Sequence, residues 1–264
     1  MNRFLLRALP VLSAMVNLSS SGAESDAPLP TGKPVQLYLM MGQSNMSGRG
    51  VVGAEDRTSH PRVFMFTTNA GWQIATEPVT HDKPKLLGVG PGLAFGKAMA
   101  EKYPDVIIGL VPCSVGGTPL SRWQKGGDLY SNAVVRAKLA MTRGELKGVI
   151  WHQGESDSNK REAKTYGARL SQMIRDLRAD LAVPNLPFVA GQLGEFLYTR
   201  GSNNVAEVKM VNSAIASLSQ AVPHTAFASS EKLDHKGDML HFNAEAEREL
   251  GRRFAREMIK LQSP

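Results

Sequence analysis

Short apolar runs alternate along the chain with segments whose apolar positions recur every three or four residues. The short runs predict buried β-strands at residues 35–41, 106–111, 148–152, 188–192 and 225–228, with a further short strand indicated at 63–66. The periodic segments predict helices at residues 93–102, 128–142, 160–181, 205–221 and 243–261. Strands that alternate with helices are typical of a parallel sheet covered on both faces. We therefore expect an α/β domain with about five parallel strands.

Polar, glycine-containing turns follow three of the predicted strands, at residues 42–45, 113–118 and 153–157. In an open parallel sheet, the carboxyl ends of the strands lie along one edge, where ligands bind. The first turn presents the hydroxyl of Ser44 directly after an apolar run. A fourth polar segment, residues 233–243, follows the last predicted strand and can return to the same edge. The sequence therefore predicts one site built from four separate segments.

The amino terminus has the features of a secretory signal rather than of a folded element. A basic start precedes a mostly apolar stretch at residues 4–16, and small residues that suit cleavage end the segment. We expect a signal peptide at residues 1–23, a linker at 24–32 and a single folded domain at 33–264, although a disordered or membrane-tethered start is the alternative. The apolar stretch is too short for a standard membrane-spanning helix. A secreted or periplasmic protein is expected.

Composition narrows the classes of function. With 264 residues and 42% hydrophobic content, the chain can bury one sizeable core. The formal net charge of +7 falls to +5 when Arg3 and Arg7 leave with the signal peptide. The basic residues are dispersed and are not interleaved with aromatic ones, which argues against a nucleic-acid partner. The single cysteine, Cys113, excludes an intramolecular disulfide and a cysteine-based metal cluster.

The side chains at the predicted edge suit acyl transfer by a serine. Such chemistry needs a base within hydrogen-bond reach of the hydroxyl and an acid that orients the base. His241 and Asp238 are three residues apart, a spacing that makes side chains neighbours on one helical turn. Each residue also has a structural interpretation, because a serine suits a turn or a helix cap and an Asp-x-x-His pair occurs in surface loops. The hypothesis is that Ser44 is the nucleophile, His241 the base and Asp238 its partner.

A tetrahedral intermediate also needs hydrogen-bond donors aimed at its oxyanion. The candidates are the backbone N–H of Ser44, that of Gly116 or Gly117, and the side-chain amide of Gln153. The glycine pair also suits a simple turn, and Gln153 also suits a structural role at a strand end. The order of Ser44 before the adjacent acid and histidine differs from the Gly-x-Ser-x-Gly elbow of α/β-hydrolases, in which the acid and the histidine are widely separated.

Four sequence blocks carry a resemblance to a known family. They are residues 42–46 (Gly-Gln-Ser-Asn-Met), 116–118 (Gly-Gly-Thr), 151–157 (Trp-His-Gln-Gly-Glu-Ser-Asp) and 238–242 (Asp-Met-Leu-His-Phe). Together they resemble the SGNH hydrolase superfamily, and most closely its sialate O-acetylesterase and acetyl xylan esterase branch (carbohydrate esterase family 6). The resemblance covers nearly the whole mature chain.

The resemblance implies a flavodoxin-like, three-layer α/β/α sandwich and a deacetylation of acetylated sugars through an acetyl-enzyme, with neither metal nor cofactor. It assigns Ser44 as nucleophile, His241 as base and Asp238 as its acid, with Glu155 as the alternative acid. It also implies that the Gln153 amide takes the place of the asparagine that donates to the oxyanion in the general SGNH pattern.

The expected function is an exported serine esterase that removes O-acetyl groups from carbohydrate. Acetylated xylan or a related plant polysaccharide is the leading substrate, and O-acetylated sialic acid is the alternative. A carbohydrate-binding domain that kept the fold and lost the chemistry is a rival, but such a domain has no need of the serine, the histidine and an acid together. A lipase or thioesterase is disfavoured because no long apolar, lid-like segment is present.

Overall fold

The computed structural model describes residues 29–201 and 203–263, and its centre is a seven-stranded sheet. The strands are β1 Val35–Gly42, β2 Val63–Phe66, β3 Trp72–Ile74, β4 Ile107–Pro112, β5 Glu145–His152, β6 Phe188–Gly191 and β7 Thr225–Ala228. Their order across the sheet is β3-β2-β4-β1-β5-β6-β7. β1 therefore lies in the middle, where residues 37–41 are fully buried, as expected for an uninterrupted apolar run in a parallel sheet.

Six strands run parallel, and β3 pairs antiparallel with β2 at one edge. The α/β class with a mostly parallel sheet is confirmed, and the sheet has six parallel strands where about five were expected. The strand indicated at 63–66 joins the parallel set as β2. Its partner β3 was not predicted because three residues are too few to show a period-two pattern.

Seven α-helices accompany the strands within the described part of the chain. They are α1 Ser44–Ser47, α2 Pro91–Lys102, α3 Asp128–Met141, α4 Tyr166–Asp180, α5 Val205–Ala216, α6 Leu218–Ala221 and α7 Ala244–Gln262. Side chains on alternate residues of β1 point to opposite faces of the sheet. Tyr38 packs edge-on against Phe95 of α2, while α3 packs beneath β1, β4 and β5. Helices thus cover both faces, which gives the three layers that were predicted.

Two predicted helices differ from the structure by more than one or two residues at their ends. The helix predicted at 160–181 begins only at Tyr166, because the side chain of Asn159 accepts hydrogen bonds from the backbone N–H groups of residues 161 and 162 and forms a turn there. The helix predicted at 205–221 is divided at Ser217. The Ser217 hydroxyl donates to the carbonyl of Ser213, a back-bond that perturbs helices.

The predicted signal peptide at residues 1–23 lies outside the described residues, as does most of the predicted linker. Within the linker range, Leu29 is buried in the core, so this apolar side chain is part of the folded structure. Across residues 29–201 and 203–263, no helix is both long enough and apolar enough to cross a membrane.

Candidate active site

Ser44 lies where the central strand ends and the four-residue helix α1 begins. The turn depends on Gly42, whose φ of +136° is a conformation that favours glycine. A Cβ at this position would lie 2.1 Å from the carbonyl oxygen of His152 on the neighbouring strand. The close approach of β1 and β5 therefore requires glycine here, and it places Ser44 at the carboxyl edge of the sheet.

A chain of hydrogen bonds connects Ser44, His241 and Asp238. The Oγ of Ser44 lies 3.0 Å from Nε2 of His241, and Nδ1 of His241 lies 2.7 Å from Oδ2 of Asp238. A carboxylate on Nδ1 keeps the proton on that nitrogen and leaves Nε2 as the acceptor that faces the serine hydroxyl. The order of hydroxyl, imidazole and carboxylate is the one that serine acyl transfer requires.

Asp238 is held by the backbone as well as by the imidazole. Its Oδ1 accepts hydrogen bonds from the N–H groups of Leu240 and His241, at 3.0 and 2.9 Å. The expectation that a helical turn brings Asp238 and His241 together was wrong, because residues 238–241 form a bend in which the carboxylate caps the following N–H groups. Partial burial raises the pKa of Asp238, but the hydrogen bonds from His241 and Leu240 outweigh this and lower its pKa to about 2.

Glu155, the alternative acid, does not contact His241. Its Oε1 accepts a hydrogen bond of 2.6 Å from Nδ2 of Asn45 and lies 3.8 Å from Nδ1 of His152. His152 is fully buried, and this burial lowers its pKa, which favours the neutral ring. Of the two acids considered from the sequence, Asp238 is therefore the one that contacts the imidazole of His241, while Glu155 accepts a hydrogen bond from Asn45.

Two of the predicted oxyanion donors have other partners. The N–H of Gly116 donates to Oδ2 of Asp82 at 2.8 Å. The Gln153 amide donates to the carbonyl of Thr118 at 3.1 Å and to Asp157 at 2.6 Å. The Gln153 amide thus donates to the loop after β4 and to the turn after β5, so the prediction that this amide faces the oxyanion is not supported by the geometry.

Asp157 is a structural centre that the sequence interpretation did not single out. It is fully buried and accepts hydrogen bonds from the backbone of Leu120, from Gln153 and from Arg169. Its carboxylate thereby ties the turn after β5 to the loop after β4, which carries Gly116 and Gly117. The only available signal was its place at the end of the 151–157 block.

Asp82 is a second residue that the sequence interpretation missed. It forms a buried ion pair with Arg49, with Oδ2 3.2 Å from Nη2. A Cβ at position 116 would lie 2.4 Å from Nη2 of Arg49 and 3.5 Å from Cβ of Ser44, so the guanidinium and the serine flank the same glycine. Asp82 lies between the predicted strand at 63–66 and the predicted helix at 93–102, where no apolar pattern pointed to a role.

In the part of the chain that the structure describes, no group of three or more His, Cys, Asp and Glu side chains is placed to hold a metal ion.

The sequence profile of the family described as carbohydrate esterase, sialic acid-specific acetylesterase (SASA), matches residues 34–260. The chain belongs to the SASA family of carbohydrate esterases. This membership confirms the resemblance predicted from the four blocks and identifies the chain as an esterase.

Similar proteins agree with this family assignment. This carbohydrate esterase is 32% identical over 248 residues to a probable carbohydrate esterase of Arabidopsis thaliana, a match that covers 86% of this chain and 90% of the plant protein. The X-ray structure of that plant protein superposes with a TM-score of 0.77 at 30% identity, covering 86% of this chain and 98% of the other.

Two further solved structures share the fold. NanS matches with a TM-score of 0.73 at 17% identity, covering 86% of this chain and 97% of its own. The carbohydrate acetylesterase XAC1771 of Xanthomonas citri matches with a TM-score of 0.65 at 22% identity, covering 85% of this chain and 55% of its own. At these identities the likeness concerns the fold alone.

Proposed function

We propose that this esterase hydrolyses O-acetyl esters on carbohydrate through an acetyl-enzyme formed on Ser44. The observation that carries the proposal is the hydrogen-bonded chain from Ser44 through His241 to Asp238. Three side chains in this order are needed for acyl transfer, and a binding domain on the same fold has no use for them.

In the first half of the reaction, Oγ of Ser44 bonds to the acetyl carbonyl carbon while its proton passes to Nε2 of His241. Asp238 stabilises the imidazolium that forms. When the tetrahedral intermediate collapses, the bond to the sugar oxygen breaks and the imidazolium protonates that oxygen. In the second half, His241 takes a proton from water as the water oxygen bonds to the acetyl carbon. When this second tetrahedral intermediate collapses, the bond from the carbon to Oγ of Ser44 breaks, the imidazolium protonates Oγ, and acetic acid leaves and ionises to acetate.

For the oxyanion we propose the backbone N–H groups of Ser44 and Gly117. Ser44 is the first residue of α1, where N–H groups have no acceptor within the helix. Gly117 follows the engaged Gly116, has a φ of +74°, and has open space where a side chain would be. Removal of one such donor typically costs about 10²- to 10³-fold in kcat.

Acetylated xylan or a related plant polysaccharide is the substrate that we propose first. Acetylated xylose units are neutral, whereas sialic acid carries a carboxylate. The guanidinium beside Ser44 is already neutralised, because Arg49 is paired with Asp82 in a buried site. A substrate with a carboxylate would need an unpaired cation to bind it, whereas a neutral acetylated sugar does not. The pairing of Arg49 with Asp82 therefore supports acetylated xylan as the substrate.

O-acetylated sialic acid is the second candidate, favoured by the description of the family and by one side chain. Lys83, an exposed residue, donates to the carbonyl of Gly116 at 2.6 Å and so brings an ammonium group to the loop beside Ser44. A substrate carboxylate would be drawn to that charge. If sialic acid is the substrate, Lys83→Met should raise KM for it and leave hydrolysis of a neutral aryl acetate unchanged.

The test is acetate release by the mature protein and by Ser44→Ala, measured in parallel on acetylated xylan and on O-acetylated sialic acid. Acetate from xylan that disappears in the variant supports both the nucleophile and the substrate. If acetate is released from O-acetylated sialic acid alone, the proposed mechanism stands and the proposed substrate changes from xylan to sialic acid. If neither substrate nor an aryl acetate releases acetate, the proposed activity is wrong.

We also propose that the protein is exported after removal of residues 1–23, on the basis of the basic, apolar and small-residue regions of its amino terminus. The test is expression of the full chain followed by mass measurement of the protein outside the cytoplasm. A mature chain that begins near residue 24 supports export, and an uncleaved cytoplasmic chain contradicts it.

A further inference from the structure

The residue after Ser44 connects the nucleophile helix to the loop that carries the base. Asn45 is almost fully buried, and its amide makes three contacts. Nδ2 donates to Oε1 of Glu155 at 2.6 Å and to the carbonyl of Leu240 at 3.3 Å, while Oδ1 accepts from the N–H of Phe242 at 3.2 Å. Leu240 and Phe242 are the chain neighbours of His241. One side chain thus holds the backbone on both sides of the imidazole.

We propose that Asn45 is a positioning residue that sets the distance between His241 and Ser44. This inference rests on the proposed function, because it concerns the same serine and histidine. Ser44 and Asn45 are adjacent in α1, so the contacts of Asn45 tie the histidine loop to the short helix that bears the nucleophile. Asp238 acts differently, since its bonds to His241 and Leu240 stay within the loop and orient the ring without anchoring the loop to α1.

Glu155 has a defined part in this arrangement. Its side chain is buried, and its carboxylate can only accept a hydrogen bond, so it selects the amide nitrogen of Asn45 and turns Oδ1 toward the N–H of Phe242. A reversed amide would place an oxygen against the carboxylate and a nitrogen against an N–H group. Glu155 therefore orients Asn45, and through Asn45 it acts on the position of His241.

The experiment is a double-mutant cycle of Asn45→Ala and His241→Ala, with kcat and KM measured on p-nitrophenyl acetate. In the wild-type background, Asn45→Ala should lower kcat by about 10- to 100-fold with little change in KM, because a displaced base costs rate rather than ground-state binding. In the His241→Ala background the same substitution should change kcat by less than about twofold. An equal loss in both backgrounds would overturn the proposal.

Substitutions at Glu155 test the same idea without removing Asn45. Glu155→Gln keeps an acceptor oxygen and should retain most of the activity, whereas Glu155→Ala should lower kcat about 3- to 10-fold only when His241 is present. These variants remain informative if Asn45→Ala does not fold. Equal losses in the Gln and Ala variants, or an Ala loss that persists without His241, would count against the inference.

Ser47→Ala is the matched control. Ser47 is buried in the same short helix, and its hydroxyl donates to Ser114 rather than to the histidine loop. Thermal unfolding of every variant separates a loss of stability from a loss of position. If Ser47→Ala lowers kcat as much as Asn45→Ala at equal stability, the positioning role is wrong. A wild-type enzyme without activity on the aryl acetate would instead contradict the proposed function itself.

Discussion

The hydroxyl of Ser44 and the imidazole of His241 lie 3.0 Å apart, although the two residues are 197 positions apart in the chain. Ser44 follows the central strand, and His241 lies in the loop between the last strand and the last helix. Both segments reach the carboxyl edge of the sheet, and Asn45 joins them there. The reactivity that we propose therefore depends on how accurately two distant segments are held together.

Substitution of the acid tests the role of the carboxylate on the imidazole. We expect Asp238→Asn to lower kcat by up to about 10⁴-fold, because an amide no longer selects the tautomer that leaves Nε2 free to accept a proton. The pKa of Asp238 is about 2, so assays between pH 5 and 8 compare the amide with a fully charged carboxylate. A loss below about tenfold on an aryl acetate would contradict this role. Glu231→Gln, an exposed acid in the loop after β7, is the control.

His235 is expected to support the loop that carries Asp238. Its Nδ1 accepts from the N–H groups of Gly237 at 2.9 Å and Met239 at 3.2 Å, and its ring packs edge-on against Phe196. His235→Phe keeps a ring and loses the acceptor, whereas His235→Asn keeps an acceptor and loses the ring. We expect kcat to fall about tenfold in the Phe variant and less in the Asn variant. Equal activities of the two variants would show that the acceptor is not needed.

The buried pair of Arg49 and Asp82 is expected to stabilise the fold around Gly116. Asp82→Ala leaves the guanidinium unpaired and releases the N–H of Gly116, and we expect it to lower the free energy of unfolding by about 3–5 kcal/mol. Denaturant unfolding measures the loss. The double variant Arg49→Met with Asp82→Ala removes both charges and should recover part of it. If the loss in the double variant equals the sum of the losses in Asp82→Ala alone and in Arg49→Met alone, the two charges are not coupled.

Glu77 is expected to make the stability of the protein depend on pH. Burial raises its pKa to about 8, an effect that backbone hydrogen bonds from Val79 and Gly90 only partly offset. The unfolded chain loses this proton near the ordinary value of 4.5, so between that pH and pH 8 the folded state binds more protons. The free energy of unfolding should therefore fall as the pH rises through this range.

Glu77→Gln cannot ionise and tests this expectation. At pH 8 the variant should be more stable than the wild type by roughly 1 kcal/mol or more, with a smaller difference near pH 5. Denaturant unfolding at the two pH values is the measurement. Glu101→Gln, an exposed glutamate at the end of α2, is the control and should leave the pH dependence unchanged. Parallel pH curves for Glu77→Gln and the wild type would contradict the raised pKa.

Much of the fold was predictable because apolar periodicity is a local property. The run at 35–41 became the buried strand β1, and the pattern at 243–261 became α7 with Asn243 as its N-cap. The misses are short or irregular: β3 has three residues, and the turn at Asn159 delays the start of α4. In such segments the hydrogen bonds of single side chains determine the backbone conformation, and the apolar periodicity of the sequence does not predict these hydrogen bonds.

By itself, the sequence determined the class of fold, the edge of the sheet that bears the site, and the family, since these follow from apolar runs, from polar turns after them and from short motifs. Only the tertiary structure decided that Asp238 rather than Glu155 contacts His241 and that Gln153 holds a loop. It also revealed the pairing of Asp82 with Arg49. The reason is physical: hydrogen bonds act over about 3 Å, and the loops that bring distant partners within that distance have no repeating pattern to read.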